Sequence, residues 1–204
     1  MAKATGPKYS VKLRRRRDFL TNYQKRLALV KSGKPRLVVR KSQKHILVQF
    51  IEYADSGDRT LACAHSKELE KMGWPARGNA PTAYLTGLLG GRRALVAGVK
   101  EVVFDIGLHA PTKGAIVFAS LKGVLDAGVK ANAGEELFNA ERIKGAHIAA
   151  YAGELKAKDA QAYEKRFSAY IKAGVAPESL GELFEKTKEA IMKADVSKAK
   201  GDDS

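Results

Sequence analysis

Four arginines in a row, Arg14, Arg15, Arg16 and Arg17, are the first residues in this sequence whose type and spacing point to a chemistry. A guanidinium can fork onto one phosphate or stack on a base, and Lys and Arg together bind a phosphate polymer by displacing its condensed counterions. On a helix, successive side chains point about 100° apart, so four arginines cover every side. A helix that also packs on its own domain has no solvent face wide enough for all four. A helix end surrounded by nucleic acid does. Tyr9, Phe19 and Tyr23 are interleaved with the positive charges, and stacking of each on an exposed base is worth roughly 1–3 kcal/mol. For Phe19 and Tyr23 the alternative is core packing on the helix's apolar stripe, which is the favoured reading for Tyr23.

The cations do not stop there. Lys12 precedes the run and Arg26 follows it, while Arg36, Arg40, Lys41 and Lys44 carry charge onto strand-like sequence and its turn. A flexible tail or an import signal has no need of that. Residues 1–50 hold 15 Lys or Arg and one acid, Asp18, for a net +14; the remaining 154 residues hold 22 bases and 21 acids, for +1. Like charges repel in the free chain, so this asymmetry describes a polyanion-binding arm on a near-neutral body.

Other chemistries find little support. His45, His65, His109 and His147 include no pair at helical metal-site spacing and are expected at turns or the surface. Cys63 is the single cysteine, which leaves no intrachain disulfide, and it is expected as a small buried residue within Leu61–Ala64. Gly87-Leu88-Leu89-Gly90-Gly91 lacks the spacing and Lys-Ser/Thr ending of a phosphate loop and lies within a helical pattern. Asp105 closes an apolar strand without the converging carboxylates of a metal nuclease, so a turn role is expected. No catalytic residue, metal ligand or cofactor site is therefore expected. No leader-like or 18-residue apolar stretch is present, and the chain is expected to be soluble and intracellular. The segment Trp74-Pro75-Ala76-Arg77-Gly78-Asn79, followed by Arg92-Arg93, admits two readings: an RNA or protein contact, or a Trp at the edge of the core.

The elements that must position these residues follow from periodicity. Residues 1–12 read as an extended arm. Leu13, Leu20, Tyr23, Leu27 and Val30 recur at helical spacing and predict one helix over 13–30, ended by Ser32-Gly33-Lys34-Pro35. Strands are predicted at 36–42, 45–53 and 60–65, the latter two joined by the turn Asp55-Ser56-Gly57-Asp58, which makes an antiparallel meander. A helix over 83–97, a strand over 101–106, an apolar run over 115–121 and a helical pattern over 123–127 complete an α/β domain whose mixed sheet is covered by helices. Helices near 140–151, 158–173 and 177–194 follow, then a polar tail. The expected organisation is a basic arm and helix over 1–35, an α/β core over 36–134, a helical C-terminal region over 135–197 and a disordered tail over 198–204.

Several stretches resemble one family, the archaeal and eukaryotic branch of large-subunit ribosomal protein eighteen, the 5S rRNA binder. They are Arg14–Arg17 with Tyr23-Gln24-Lys25-Arg26-Leu27; Ser32-Gly33-Lys34-Pro35-Arg36-Leu37-Val38-Val39-Arg40-Lys41-Ser42; Gly78-Asn79-Ala80-Pro81-Thr82-Ala83-Tyr84-Leu85-Thr86-Gly87; Asp105-Ile106-Gly107-Leu108-His109; and Gly145-Ala146-His147-Ile148-Ala149-Ala150-Tyr151. They stand in the family's order and span roughly residues 8–152. The resemblance implies a structural component of the ribosome's central protuberance, cytoplasmic and ribosome-bound, that clamps 5S rRNA, touches large-subunit rRNA and adjoins other large-subunit proteins. It implies no membrane and no small-molecule substrate. Carried over by position, RNA contacts would come from Tyr9, Lys12, Arg14, Arg15, Arg16, Arg17, Tyr23, Arg26, Arg36, Arg40, Lys41, Ser42 and Lys44, with Trp74, Arg77 and Asn79 as secondary candidates. Where family members often have Lys-Thr-Asp-Tyr before the helix stripe, this chain has Phe19-Leu20-Thr21-Asn22-Tyr23, so one phosphate contact of the pattern is missing. The Lys-rich sequence beyond about residue 155 matches nothing in it.

Overall fold

The computed structural model describes residues 6–7 and 9–194; the expected tail over 198–204 lies outside them. A five-stranded mixed sheet in the order β3-β2-β1-β4-β5 forms the centre. Strands β1 (Arg36–Lys41), β2 (Ile46–Glu52) and β3 (Arg59–His65) make the expected meander. The β1–β2 register pairs Arg36 with Ile51 and Lys41 with Ile46, and their turn is held by Ser42, whose hydroxyl donates to the His45 carbonyl and accepts from its amide. Strands β4 (Glu101–Asp105) and β5 (Lys130–Ala131) add in parallel to β1.

Alternation gives the sheet two unlike faces. Leu37, Val39, Ile46, Val48, Phe50 and Ala64 are fully buried beneath α3 (Ala80–Val96) and α4 (Ile116–Asp126). The outer face presents Arg36, Val38 and Arg40 from β1 beside Gln49 and Ile51 from β2. Cys63 of β3 pairs with Gln49 of β2 and is exposed. This corrects the expectation of a buried thiol, because the alternation of the strand turns it outward while Ala64 faces the core.

The glycines of α3 serve packing, not phosphate binding. A Cβ on Gly87 would lie 2.1 Å from the Ser120 carbonyl oxygen, and one on Gly123 would lie 2.1 Å from that of Tyr84. Small residues at these points let two helix backbones meet directly. Helix α3 begins at Ala80, three residues earlier than periodicity predicts, because Asn79 accepts from the Thr82 amide as its N-cap and Pro81 suits a first turn. The run over 115–121 and the pattern over 123–127 are one helix, α4.

Before the sheet, the single helix expected over 13–30 is two: α1 (Arg14–Arg17) and α2 (Tyr23–Lys31). Phe19 breaks it with φ of +53°, the left-handed region, and Asn22 then caps α2 by accepting from the amides of Gln24 and Lys25. Beyond the sheet lie α5 (Ala140–Lys144), α6 (Ala146–Lys158), α7 (Ala160–Lys172) and α8 (Leu180–Lys193). The helix expected near 140–151 is split at Gly145, which takes a φ of +83° and would place a Cβ 3.0 Å from Leu180. These C-terminal helices close the core. Phe184 of α8 meets Trp74 at 6.2 Å and Tyr84 at 5.3 Å between ring centroids, and Leu180 and Ile191 are fully buried.

Candidate nucleic-acid interface

No residue of α1 or α2 is buried. Leu13, Leu20 and Leu27 of the apolar stripe are all exposed, and Tyr23 is only half-buried. The stripe therefore does not enter the core, which corrects the expectation of a helix packed on its own domain and removes the steric conflict argued for the arginines. Arg14, Arg15, Arg16 and Arg17 are all exposed, as are Tyr9 and Lys12. Arg15 donates from Nε to the Thr21 hydroxyl at 2.9 Å, stitching α1 to the segment before α2. Among the described residues, no carboxylate lies within ion-pair distance of Lys12 or of any arginine of α1.

What holds this segment to the body is charge, through Asp58 in the β2–β3 turn. Arg26 of α2 meets one of its carboxylate oxygens at 3.0 Å, and Arg36 of β1 meets the other at 2.7 Å. Arg36 also reaches Asp105 at 3.3 Å, and Arg40 approaches the same carboxylate at 3.8 Å. Asp105 in turn accepts from the Gly107 amide at 2.8 Å, the turn role expected of it. With 5% of its side chain exposed, Arg36 is enclosed in this network and does not present a free cation. The geometry thus moves Arg36 from the candidate contacts to the scaffold. Its strand position read as a surface, but the outer face at this point is roofed by the basic segment.

Between that segment and the outer face lies a crevice of about 420 Å³, lined among others by Arg15, Lys25, Arg26, Arg40, Gln49 and Asp58. Lys25 and Asp58 were missed from sequence. Lys25 lay inside a stripe read for its apolar members, and Asp58 inside a turn read only for its backbone. Lys41, Ser42 and Lys44 cluster on the exposed β1–β2 turn, where Ser42 spends its hydroxyl on the turn itself. That turn abuts the 74–79 loop so closely that a Cβ on Gly78 would lie 2.5 Å from the Gln43 carbonyl oxygen.

The loop itself belongs to the core. Trp74 is 1% exposed and donates from its indole to Thr82 at 2.9 Å. Arg77 donates to the Ala169 carbonyl at 3.1 Å, and Asn79 donates to the Tyr170 hydroxyl at 2.8 Å. Trp74 thus sits at the core edge between α3 and α8, while Arg77 and Asn79 tie α7 to the start of α3. Arg92 and Arg93 are likewise engaged within the chain, with the Met192 carbonyl and with Glu68. Burial alone would raise the Glu68 carboxyl, but the hydrogen bonds from Arg93 and the His65 amide, with the charges of Arg93 and His65, outweigh it and hold it below its ordinary value.

Two of the four histidines are neighbours across the β2–β3 end of the sheet. The rings of His45 and His65 lie 5.0 Å apart, with His65 accepting from the Lys67 amide as the cap of the short 3-10 helix Ser66–Met72. Among the described residues no three His, Cys, Asp or Glu side chains converge as a metal site, and no helix is long and apolar enough to cross a membrane.

Comparison with known proteins gives this arrangement a family. Residues 7–101 match the profile described as ribosomal large subunit proteins 60S L5 and 50S L18. The chain is 51% identical to large ribosomal subunit protein uL18 of Aeropyrum pernix over 192 residues, covering 93% of this chain and 90% of that protein. It is 48% identical to large ribosomal subunit protein uL18 of Ignicoccus hospitalis, covering 93% and 94%. With about half of its residues identical to these relatives over nearly the full length of both chains, this chain, an exposed cationic segment clasped onto a mixed α/β body, is a member of the uL18 family of large-ribosomal-subunit proteins.

Proposed function

We propose that this chain is the structural constituent of the large ribosomal subunit that binds 5S rRNA and helps to anchor it in the central protuberance. It is a structural protein, not an enzyme. The observation that carries the RNA reading is the segment from Tyr9 to Lys31, which buries no side chain and whose cations, Arg26 apart, have no carboxylate within ion-pair distance among the described residues. Folding does not require such a surface, whereas a phosphate backbone does. The contact residues are Tyr9, Lys12, Arg14, Arg15, Arg16, Arg17, Tyr23, Lys25 and the exposed part of Arg40, with Lys41, Ser42 and Lys44 at the adjoining turn. Arg26 divides its role between Asp58 and the crevice. The exposed Leu13, Leu20 and Leu27 suit contact with large-subunit rRNA and neighbouring ribosomal proteins, and the working location is the cytoplasmic ribosome.

The test is filter binding of the full chain to a 5S rRNA transcript across a salt series. With 6–10 phosphates neutralised, the log–log slope is expected at roughly −5 to −9. Replacing Arg14, Arg15, Arg16 and Arg17 with Ala should weaken binding by orders of magnitude and flatten that slope, while circular dichroism of the body is unchanged. A wild-type chain that prefers unrelated structured RNA over 5S rRNA would leave only a general RNA-binding role. Retained affinity in the quadruple variant would place the interface elsewhere.

A further inference from the structure

Phe19 stands where helix α1 ends. Its amide donates to the Arg16 carbonyl at 3.3 Å and the Leu20 amide donates to the Arg15 carbonyl at 2.8 Å, the paired bonds of a Schellman ending, whose turn residue must be left-handed and is usually glycine. Here it is phenylalanine at φ +53°, the one non-glycine residue with positive φ among those described. A Cβ in that region is strained against the following carbonyl, and such strain persists mainly where it has a use. The ring gains nothing from the fold in return, for it is 85% exposed, more than any other large apolar side chain described.

The surroundings indicate what it meets. Arg14, Arg15, Arg16 and Arg17 immediately precede it, all exposed, and α1 is one turn long, about 6 Å. The ring thus projects within a side chain's length of any phosphates those guanidinium groups hold. A protein pocket for an apolar ring is seldom ringed by so much positive charge, whereas a nucleic-acid strand offers phosphates and a base face together.

We propose that Phe19 is a base-stacking residue, its ring lying on an unpaired base of the RNA whose phosphates are held by Arg14–Arg17. This rests on the 5S rRNA reading given above. The test uses the full chain and a 5S rRNA transcript, with the variants Phe19→Gly, Phe19→Leu and Phe19→Trp. Glycine suits the backbone, so that variant should melt no lower than wild type, and its loss of affinity would not come from unfolding. Gly and Leu are expected to weaken binding by roughly 5- to 140-fold, the range for one stacked base, with the salt slope unchanged because no charge is removed. Trp should keep the affinity, and its fluorescence should be quenched by the RNA over the constant background of the buried Trp74. Wild-type affinity in Phe19→Gly overturns the proposal, and so does wild-type affinity in Phe19→Leu, which would reveal an apolar contact without stacking. A Gly variant that binds the transcript normally but fails to join large subunits would put the ring against a neighbouring protein and also overturn it. If wild type itself does not bind the transcript, the 5S reading falls, and this proposal with it.

Discussion

Replacing Arg36 with Met separates scaffold from interface most sharply, because the sequence places that residue among the RNA contacts and the geometry places it in an ion network. Met keeps an apolar stem of similar length, so packing along the strand is largely retained. What is lost is the pairing with Asp58 at 2.7 Å and Asp105 at 3.3 Å around a side chain 5% exposed. Removing one partner of a buried ion pair costs about 3–5 kcal/mol, since a carboxylate is left uncompensated. Two features reduce that figure. Asp58 retains Arg26 and Asp105 retains Arg40, and the Arg36 Nε, which is buried without a hydrogen-bond partner, no longer has to be desolvated, a saving of about 1 kcal/mol. The expected loss is therefore about 2–4 kcal/mol, which in a chain of this size lowers the melting temperature by roughly 4–16 °C. Thermal and urea unfolding followed by circular dichroism measure it. In the double variant Arg36→Met, Asp58→Asn the losses should be less than additive by about 0.5–3 kcal/mol. Below the melting range, the salt slope of RNA binding should stay as in wild type. A stability loss under about 1 kcal/mol, together with a reduced salt slope, would refute the scaffold assignment and return Arg36 to the RNA surface.

Three further outcomes are expected. Gly87→Ala forces a methyl group to within 2.1 Å of the Ser120 carbonyl oxygen, so α3 and α4 must separate at a cost of about 1–3 kcal/mol or more, measured by urea denaturation. Trp74→Ala should destabilise by about 3–5 kcal/mol, yet the protein that remains folded should bind 5S rRNA as wild type, since the indole is enclosed by Thr82 and Phe184; filter binding checks this. Glu68 has a folded value below its ordinary 4.5, so it contributes stability that is present above that value and lost as the pH falls through the folded value. Glu68→Gln should therefore be less stable than wild type at neutral pH, with the difference shrinking from about pH 5 downwards in urea titrations.

The body of the fold was largely legible because its signals are local. Alternation in 36–65 and the Asp55–Asp58 turn define the meander, and the Gly-rich α3 shows a helical period. Tertiary chemistry was less legible. Nothing in the types of Arg36, Asp58 and Asp105 says that they meet, since they lie on three elements far apart in sequence. Trp74 beside Arg77 looks like a contact patch until Phe184, more than a hundred residues later, is found against the indole. Phe19 hid the break between α1 and α2 because phenylalanine carries no turn signal, and only its backbone angle reveals it. The cationic run itself was plain in sequence. Its availability, with no side chain of the segment buried, comes from the fold.

The position of α8 sets an order on the birth of the molecule. Chains leave the synthesising ribosome from the N-terminus at about 5–20 residues per second, and the basic segment is finished by Lys31. The aromatic lid over Trp74 and Tyr84 waits for Phe184, and the last plug of the core for Ile191. For roughly 8–32 s the nascent chain therefore offers its phosphate-seeking end while its apolar interior is still open. In that interval, early capture of the arm by RNA would tether a body that has not yet closed.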